Sequence, residues 1–325
     1  MGGSVQHGPE GELRQAPEAD ESWQDSAFVT FHCPTSGIGG HMRIGHEPGH
    51  AGGVSALWFG LVTKDGRAYR RNASSPLESA DLRDDGFGAY GGRYRAVFDG
   101  DLHFQADDED VSMDLRFADF YPRTDFFPPT AGTLVDDFAS SHFECSGRVT
   151  GKIVLGGREY VLDGLGHRDR SWGLRRWDTL LNHRWVPGTV GPQLSFGLIS
   201  WNGVDGSLKQ FGYAVREGEV VHATDVDVVV GMEADGVSYR SGSTKLWLPD
   251  GQLVEIDCRP YGATVSEHHG VACVDAICEI EIDGARGFCD LEVSTNPRAG
   301  SGPVATAVLA NTTEGLSGAE AAVAG

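Results

Sequence analysis

No run of about eighteen apolar residues, the length a helix needs to cross a bilayer, occurs in this chain of 325 residues. Basic residues are scarce, with 26 Lys and Arg against 47 Asp and Glu, for a net charge of −21. A surface of that sign repels nucleic acid and anionic membranes, so a small molecule or a protein is the expected partner. Residues 1–20 lack an apolar stretch behind a basic start, so no secretory signal is read. Cysteine is sparse at six (Cys33, Cys145, Cys258, Cys273, Cys278, Cys289), and none falls in a CxxC pair. We read these thiols as reduced and mostly buried, in a cytoplasmic protein.

Catalytic signatures are missing too. There is no GxSxG elbow and no P-loop. Gly86-Phe87-Gly88-Ala89-Tyr90-Gly91 matches GxGxxG, but no strand–helix–strand pattern surrounds it, so dinucleotide binding is not implied. His32, Cys33, His41, His46 and His50 match no zinc spacing, and their glycine-rich surroundings read as a flexible loop. Glu267-His268-His269 reads as a solvated loop. No cofactor and no metal is therefore expected.

Strands and turns fill the middle of the chain. Turn pairs recur at Asp65-Gly66, Asp99-Gly100, Gly156-Gly157, Asn202-Gly203, Asp205-Gly206, Glu217-Gly218, Asp235-Gly236, Asp250-Gly251 and Asp283-Gly284. Alternating or β-rich segments flank them, such as Lys152–Leu162, where Ile153 and Leu155 share a face, as do Tyr160 and Leu162. No window carries a 3.6-residue period, so the expectation is an all-β chain of antiparallel sandwiches or barrels. Residues 1–20 and 298–325 read as disordered tails, the second with room for a short helix at Val304–Ala310. Prolines between Tyr121 and Pro129 mark a boundary, dividing the chain into 21–130 and 131–297.

Chemistry concentrates in Gly164-Leu165-Gly166-His167-Arg168-Asp169-Arg170-Ser171-Trp172-Gly173, followed by His183-Arg184-Trp185. His167 and Asp169 are two residues apart, so on a strand they share a face. An imidazole that takes a proton and a carboxylic acid that gives one are what alkene hydration, dehydration or isomerisation needs. The alternative is that Asp169 is an ionised partner of Arg168, Arg170 or Arg184. Arg158, Arg168, Arg170, Arg175, Arg176 and Arg184 would pair with nearby Glu159, Asp163, Asp169 and Asp178, leaving one arginine to reach a ligand oxygen. Trp58, Trp172, Trp177, Trp185 and Trp201 offer apolar walls that pack a core or face a carbocation.

The segments Glu21–Trp23, Gly37–Gly45 and Val54–Val62, with Ser146–Gly151 and Asp163–Gly173, resemble a bacterial family of tandem lipocalin-like proteins. That group is related to carotenoid 1,2-hydratase-like proteins and lipocalin-like pericyclases. Members often carry His where this chain has Arg170. The resemblance implies two lipocalin-like antiparallel β-barrel or sandwich domains packed side by side, with an apolar ligand cavity near their junction. It also implies cofactor-independent lyase or isomerase chemistry on a hydrophobic terpenoid, steroid-like or aromatic molecule. The expected roles are Asp169 as acid, His167 as base or orienter, and Trp172, Trp58, Arg170, His183, Arg184 and Trp185 as substrate-binding residues. A non-catalytic carrier of a hydrophobic ligand is the alternative, and a protein-interaction scaffold a weaker third.

Overall fold

The turn pairs reverse the chain much as their chemistry predicts. Gly156 and Gly157 take φ of 53° and 76°, and Asp283 and Gly284 take 51° and 81°, the left-handed values of two-residue hairpins. Asn202-Gly203 is an exception: it ends a strand, and the reversal follows at 204–206. The computed structural model describes residues 7–135, 138–139, 141–232, 239–299, 310–311 and 313–318, so the turn at Asp235-Gly236 and most of the helix expected at Val304–Ala310 lie outside the described residues. Among those described there is no α-helix, and no helix long and apolar enough to cross a membrane.

Two antiparallel sheets make the molecule. The first contains β1 (Trp23–Cys33), β2 (Ile38–Glu47), β3 (Val54–Thr63), β4 (Ala68–Pro76), β5 (Gly86–Ala89), β6 (Tyr94–Phe98), β7 (Leu102–Asp108), β8 (Val111–Asp119), β9 (Thr124–Asp125), β10 (Ser141–Leu155) and β11 (Arg158–Leu174). Its order is β4-β3-β2-β1-β11-β10-β8-β7-β6-β5, with β9 on β10. The sheet rolls until its edge reaches back: the Gly88 carbonyl of β5 meets His46 Nε2 at 2.8 Å and accepts from Ser55 Oγ at 3.2 Å. The second contains β12 (Leu180–Trp185), β13 (Gly188–Thr189), β14 (Leu194–Gly203), β15 (Leu208–Arg216), β16 (Glu219–His222), β17 (Asp225–Met232), β18 (Tyr239–Trp247), β19 (Leu253–His268), β20 (Val271–Ile282) and β21 (Ala285–Thr295). Its order is β16-β15-β14-β12-β21-β20-β19-β18-β17, and Gln210 Nε2 closes it by donating to the Val226 carbonyl at 3.0 Å. Each roll encloses its own apolar core.

The break between sheets does not fall at the prolines. Strands β10 and β11 follow them, yet pair into the centre of the first sheet, between β8 and β1. Crossover comes after Leu174, through a single turn at Trp177–Thr179. Prolines 122, 128 and 129 interrupt strand pairing without ending the sheet, because the long β10–β11 hairpin recovers it.

Both tails are corrected in part. Residues 7–20 lie on the first roll, with Glu12 only 3% exposed. At the other end β22 (Ala310–Asn311) pairs parallel with β19, and β23 (Gly315–Ser317) extends the first sheet beside β4. Of the histidine-rich segment expected to be a flexible loop, His32 and Cys33 end β1, His41 and His46 lie on β2, buried along its whole length, and only His50 falls in an exposed turn. Met42 and Ile44 face into the first roll, while His41 and Arg43 face the second sheet. A strand covered on both faces loses the alternation that would have revealed it.

The sheets meet through their outer faces over Phe28, Trp58, Phe126, Trp177, Trp185 and Trp201. At the tightest approach, a Cβ on Gly60 of β3 would stand 2.1 Å from Thr264 Oγ1 of β19. Gly60→Val should therefore destabilise the protein by about 1–3 kcal/mol, the usual scale of overpacking. Urea unfolding would show it as a lower midpoint; an unchanged midpoint would mean the sheets separate freely here.

Candidate active site

The signature lies on β11, and pairing with β1 sorts its side chains. Asp169 is opposite Phe28 and His167 opposite Thr30, on the face toward the second sheet. Arg168 and Arg170 sit opposite Val29 and Ala27, residues of β1 that point into the first roll. Gly166 keeps this strand close-packed: a Cβ there would lie 2.4 Å from Val149 Cγ2.

The arginines are paired, but not with their neighbours in sequence. Arg168 donates from Nε and Nη2 to Asp119 at 2.9 and 2.8 Å, and its Nη2 lies 2.8 Å from Glu12 Oε1. Arg170 donates to Asp25 Oδ1 at 2.7 Å and to the Leu13 carbonyl at 2.8 Å. Arg158 bonds Asp65, and Arg148 takes Asp163. Acids one or two residues away on a strand point elsewhere or stand too far along it, so partners come from adjoining strands and the N-terminal segment. Arg170 therefore serves the first roll and does not reach the junction cavity.

Behind the junction face sits a hub, Glu144 of β10, with no exposed surface. His167 Nε2 lies 3.0 Å from its Oε2, Tyr213 Oη donates to the same oxygen at 2.8 Å, and Trp185 Nε1 donates to Oε1 at 2.9 Å. Burial alone would raise this carboxyl; His142 and His167 hold it down at about 2 instead. The other His167 nitrogen, Nδ1, meets Ser146 Oγ at 2.8 Å. With both ring nitrogens engaged and the residue fully enclosed, His167 positions Glu144 and does not line the cavity.

The cavity itself is small, about 50 Å³, and lies between the sheets. Its walls are Phe28, Trp58, Trp177, Trp185 and Ile199, and its polar groups are Asp169, His142, Ser171, Arg43, Arg175, His183 and Glu292. Asp169 Oδ1 is shut off from solvent and has no hydrogen-bond partner. Burial pushes this carboxyl above its ordinary range; His142 opposes the rise, Glu144 adds to it, and Arg175 and Arg43 oppose it. Arg175 lies against Phe138, 4.3 Å from the ring centre, and burial together with Arg43 lowers its guanidinium to about 10. Arg43 stacks over Trp58 at 4.6 Å. His183 is bonded through Nδ1 to Ser294 Oγ at 2.5 Å and through Nε2 to Glu292. On the outer side, Phe138, Arg175 and Trp177 also line a second hollow of about 150 Å³.

Of the residues expected at the site, Asp169, Trp58, His183 and Trp185 meet at this cavity. His167 stands one layer back. Trp172 packs against His7 and Phe143, and Arg184 bonds Asn182, both away from the cavity lining. Sequence reasoning missed His142, Glu144, Arg43, Arg175 and Glu292. One signal was available: His142 and Glu144 repeat the two-residue spacing of His167 and Asp169 on the strand paired with it.

A larger cleft of about 830 Å³ opens further along the same interface, beside His32, Leu165 and Phe288. Its rim carries the ion pair Arg148–Asp163, more than half exposed on both sides. Solvent-screened charges of that kind have little chemistry to offer, which leaves the enclosed cavity as the candidate.

Two rolled antiparallel sheets packed through their outer faces define a tandem lipocalin-like protein. The chain belongs to the family Domain of unknown function (DUF7064), which it matches over residues 8–297. No curated protein sequence matches it. Among solved structures it is similar to an AttH-like protein from Nitrosomonas europaea, with a TM-score of 0.63 at 14% identity, covering 84% of this chain and 92% of that one. Kievitone hydratase from Nectria haematococca superposes with a TM-score of 0.61 at 8% identity, covering 90% and 93%. CghA gives 0.58 at 12% identity, covering 91% and 97%. At these identities the shared property is the fold, the one the sequence resemblance implied.

Proposed function

We propose that this chain is a lyase or isomerase that hydrates, dehydrates, isomerises or cyclises a hydrophobic small molecule with its own acid–base groups. One observation carries the reading: a carboxyl with a raised pKa and an unpartnered oxygen, Asp169, faces a tryptophan-walled cavity. Such walls suit a terpenoid, steroid-like or aromatic molecule once the cavity is opened. In the dehydration direction, protonated Asp169 gives its proton to the leaving hydroxyl and water departs. His142 then takes a proton from the adjacent carbon, forming the double bond, and the two groups re-equilibrate through water. Indole faces of Trp58, Trp177 and Trp185 favour developing positive charge, and Arg43 and Arg175 hold a substrate oxygen. A hydratase among the structural neighbours, and CghA solved with Sch210972, support a small-molecule role for this fold.

Even joined to the outer hollow, the cavity is below the roughly 300 Å³ of an ordinary ligand pocket, so substrate entry has to displace the Phe138–Arg175–Trp177 wall between them as well. A carrier calls for a smooth apolar lumen; this lining is charged. Incubating the protein in D2O with a panel of terpenoid and aromatic alkenes and alcohols tests the choice. Mass spectrometry should find gain or loss of one water, an isomer, or deuterium on carbon. Tight binding with none of these would make it a carrier.

Acid chemistry also sets the pH dependence. Asp169 must enter the cycle protonated, and its pKa is raised, so kcat/KM should fall as pH rises through that pKa. A rate that climbs over the same range would assign the proton transfer elsewhere.

A further inference from the structure

Between the small cavity and the larger cleft, three strands bring His41 (β2), Asp275 (β20) and Asp290 (β21) to one point. His41 is 1% exposed and both aspartates 0%. Their donor atoms all lie within 4.8 Å of one another, with His41 Nε2 3.7 Å from Asp275 Oδ2. Neither that nitrogen nor any of the four carboxylate oxygens has a hydrogen-bond partner. Thr30 stands beside Asp290, and Ser266 and Glu292 beside Asp275, with Glu292 near enough to share a proton with it, though none meets strict hydrogen-bond geometry. Buried charges in proteins are paired or coordinate a metal; among the described residues no Lys or Arg pairs with Asp275 or Asp290, and His41 stands off from Asp275 at 3.7 Å.

We propose that His41, Asp275 and Asp290 bind one divalent metal ion of the zinc class, joining the first sheet to the second. Two ionised carboxylates and a dication sum to zero charge, which removes the cost of burying either alone. One imidazole nitrogen with carboxylate oxygens suits zinc, manganese or cobalt. Magnesium keeps several waters, for which so enclosed a site is unsuited. Donors about 2.1 Å from a tetrahedral ion stand about 3.4 Å apart, close to the His41–Asp275 spacing. The ion would sit behind the cavity wall, since Asp290 shares a strand face with Glu292. The site does not depend on the function proposed above.

Two competing donor sets also lie within 4.8 Å: Glu47, His50 and His269 at the surface, and His183, Cys273 and Glu292, which are buried. Glu47 is already paired with His268 at 2.6 Å and His269 at 2.8 Å, and His183 with Glu292 and Ser294. The test separates the three. The full chain is dialysed against a chelator and titrated with Zn2+ alone, with metal content read by elemental analysis. One zinc per chain is expected, retained in the His50→Ala, His269→Ala double variant and in Cys273→Ser, and weakened at least tenfold in Asp290→Asn. Zinc at about 100-fold its Kd should raise the thermal midpoint of the wild type by about 5 °C or more. Should Asp290→Asn fail to fold, Co2+ on the wild-type chain supplies a second reading: visible bands with an imidazole ligand, unchanged by the surface double variant. Binding abolished by the surface double variant or by Cys273→Ser, or a wild-type chain that takes no zinc and whose midpoint ignores the chelator, would overturn the proposal. The second result would mean two protonated acids sharing the space.

Discussion

Asp169→Asn should leave a folded protein that still binds its hydrophobic ligand and turns it over about 10²-fold more slowly, or worse, the usual scale of general acid–base catalysis. Asparagine has nearly the shape of the carboxylic acid and fills the same space beside Phe28, but it has no acidic proton to give. Because Asp169 Oδ1 has no partner in the resting protein, the change breaks no bond at that oxygen. The rival reading, Asp169 as a structural counter-ion, predicts the reverse: a loss of about 3–5 kcal/mol and little specific effect on turnover in what remains folded. Measuring the thermal midpoint and kcat on the same variant distinguishes them, and a fully stable, fully active variant would sink both. His167→Ala should behave differently from either, since it removes a bond to buried Glu144 and another to Ser146. Its loss of activity should come with a loss of stability.

The largest stability effect is expected at Arg168, where Arg168→Met removes a fully buried guanidinium and leaves Asp119 and Glu12 facing each other. Arg123 keeps its contacts with Glu12, at 2.9 Å, and with Asp119, at 3.4 Å, but Asp119 loses both of its short bonds. Breaking a buried pair from one side costs about 3–5 kcal/mol, here about 10 °C in thermal midpoint. The sign of the pH dependence follows from the carboxylate. Asp119 is held below its ordinary range: burial alone would raise it, and Arg168 lowers it. Its contribution to stability is therefore present above the unfolded-state pKa of about 4 and lost as pH falls through the lowered value. In the variant that acid-side loss should shrink. Thermal melts of both proteins from neutral to acid pH would show it, and equal slopes would mean that Arg168 carries no such load.

Much of the fold was legible because hairpin chemistry is local. Turns such as Gly156-Gly157 and Asp283-Gly284 need residues that accept positive φ, and strands such as β8 alternate because one side is solvent. The histidine-rich strand β2 was not legible as a strand, for the opposite reason: with both faces covered, His41 and Arg43 are as buried as Met42 and Ile44. The boundary was misplaced because prolines report where a ladder lacks a donor, and say nothing about which sheet the next strand will join.

By itself the sequence determined that the body of the chain between its tails is β, that it folds by hairpins, and that His167 and Asp169 face the same way, since a strand's period is two residues. Only the tertiary structure decided which of those two reaches a cavity, that Arg168 and Arg170 turn into the first roll, and that His142, Glu144, Arg43 and Arg175 surround the acid. Spacing along one strand sets a face. What that face meets depends on strands more than a hundred residues away, and Asp275 and Asp290 come to lie beside His41 only when two sheets close on each other.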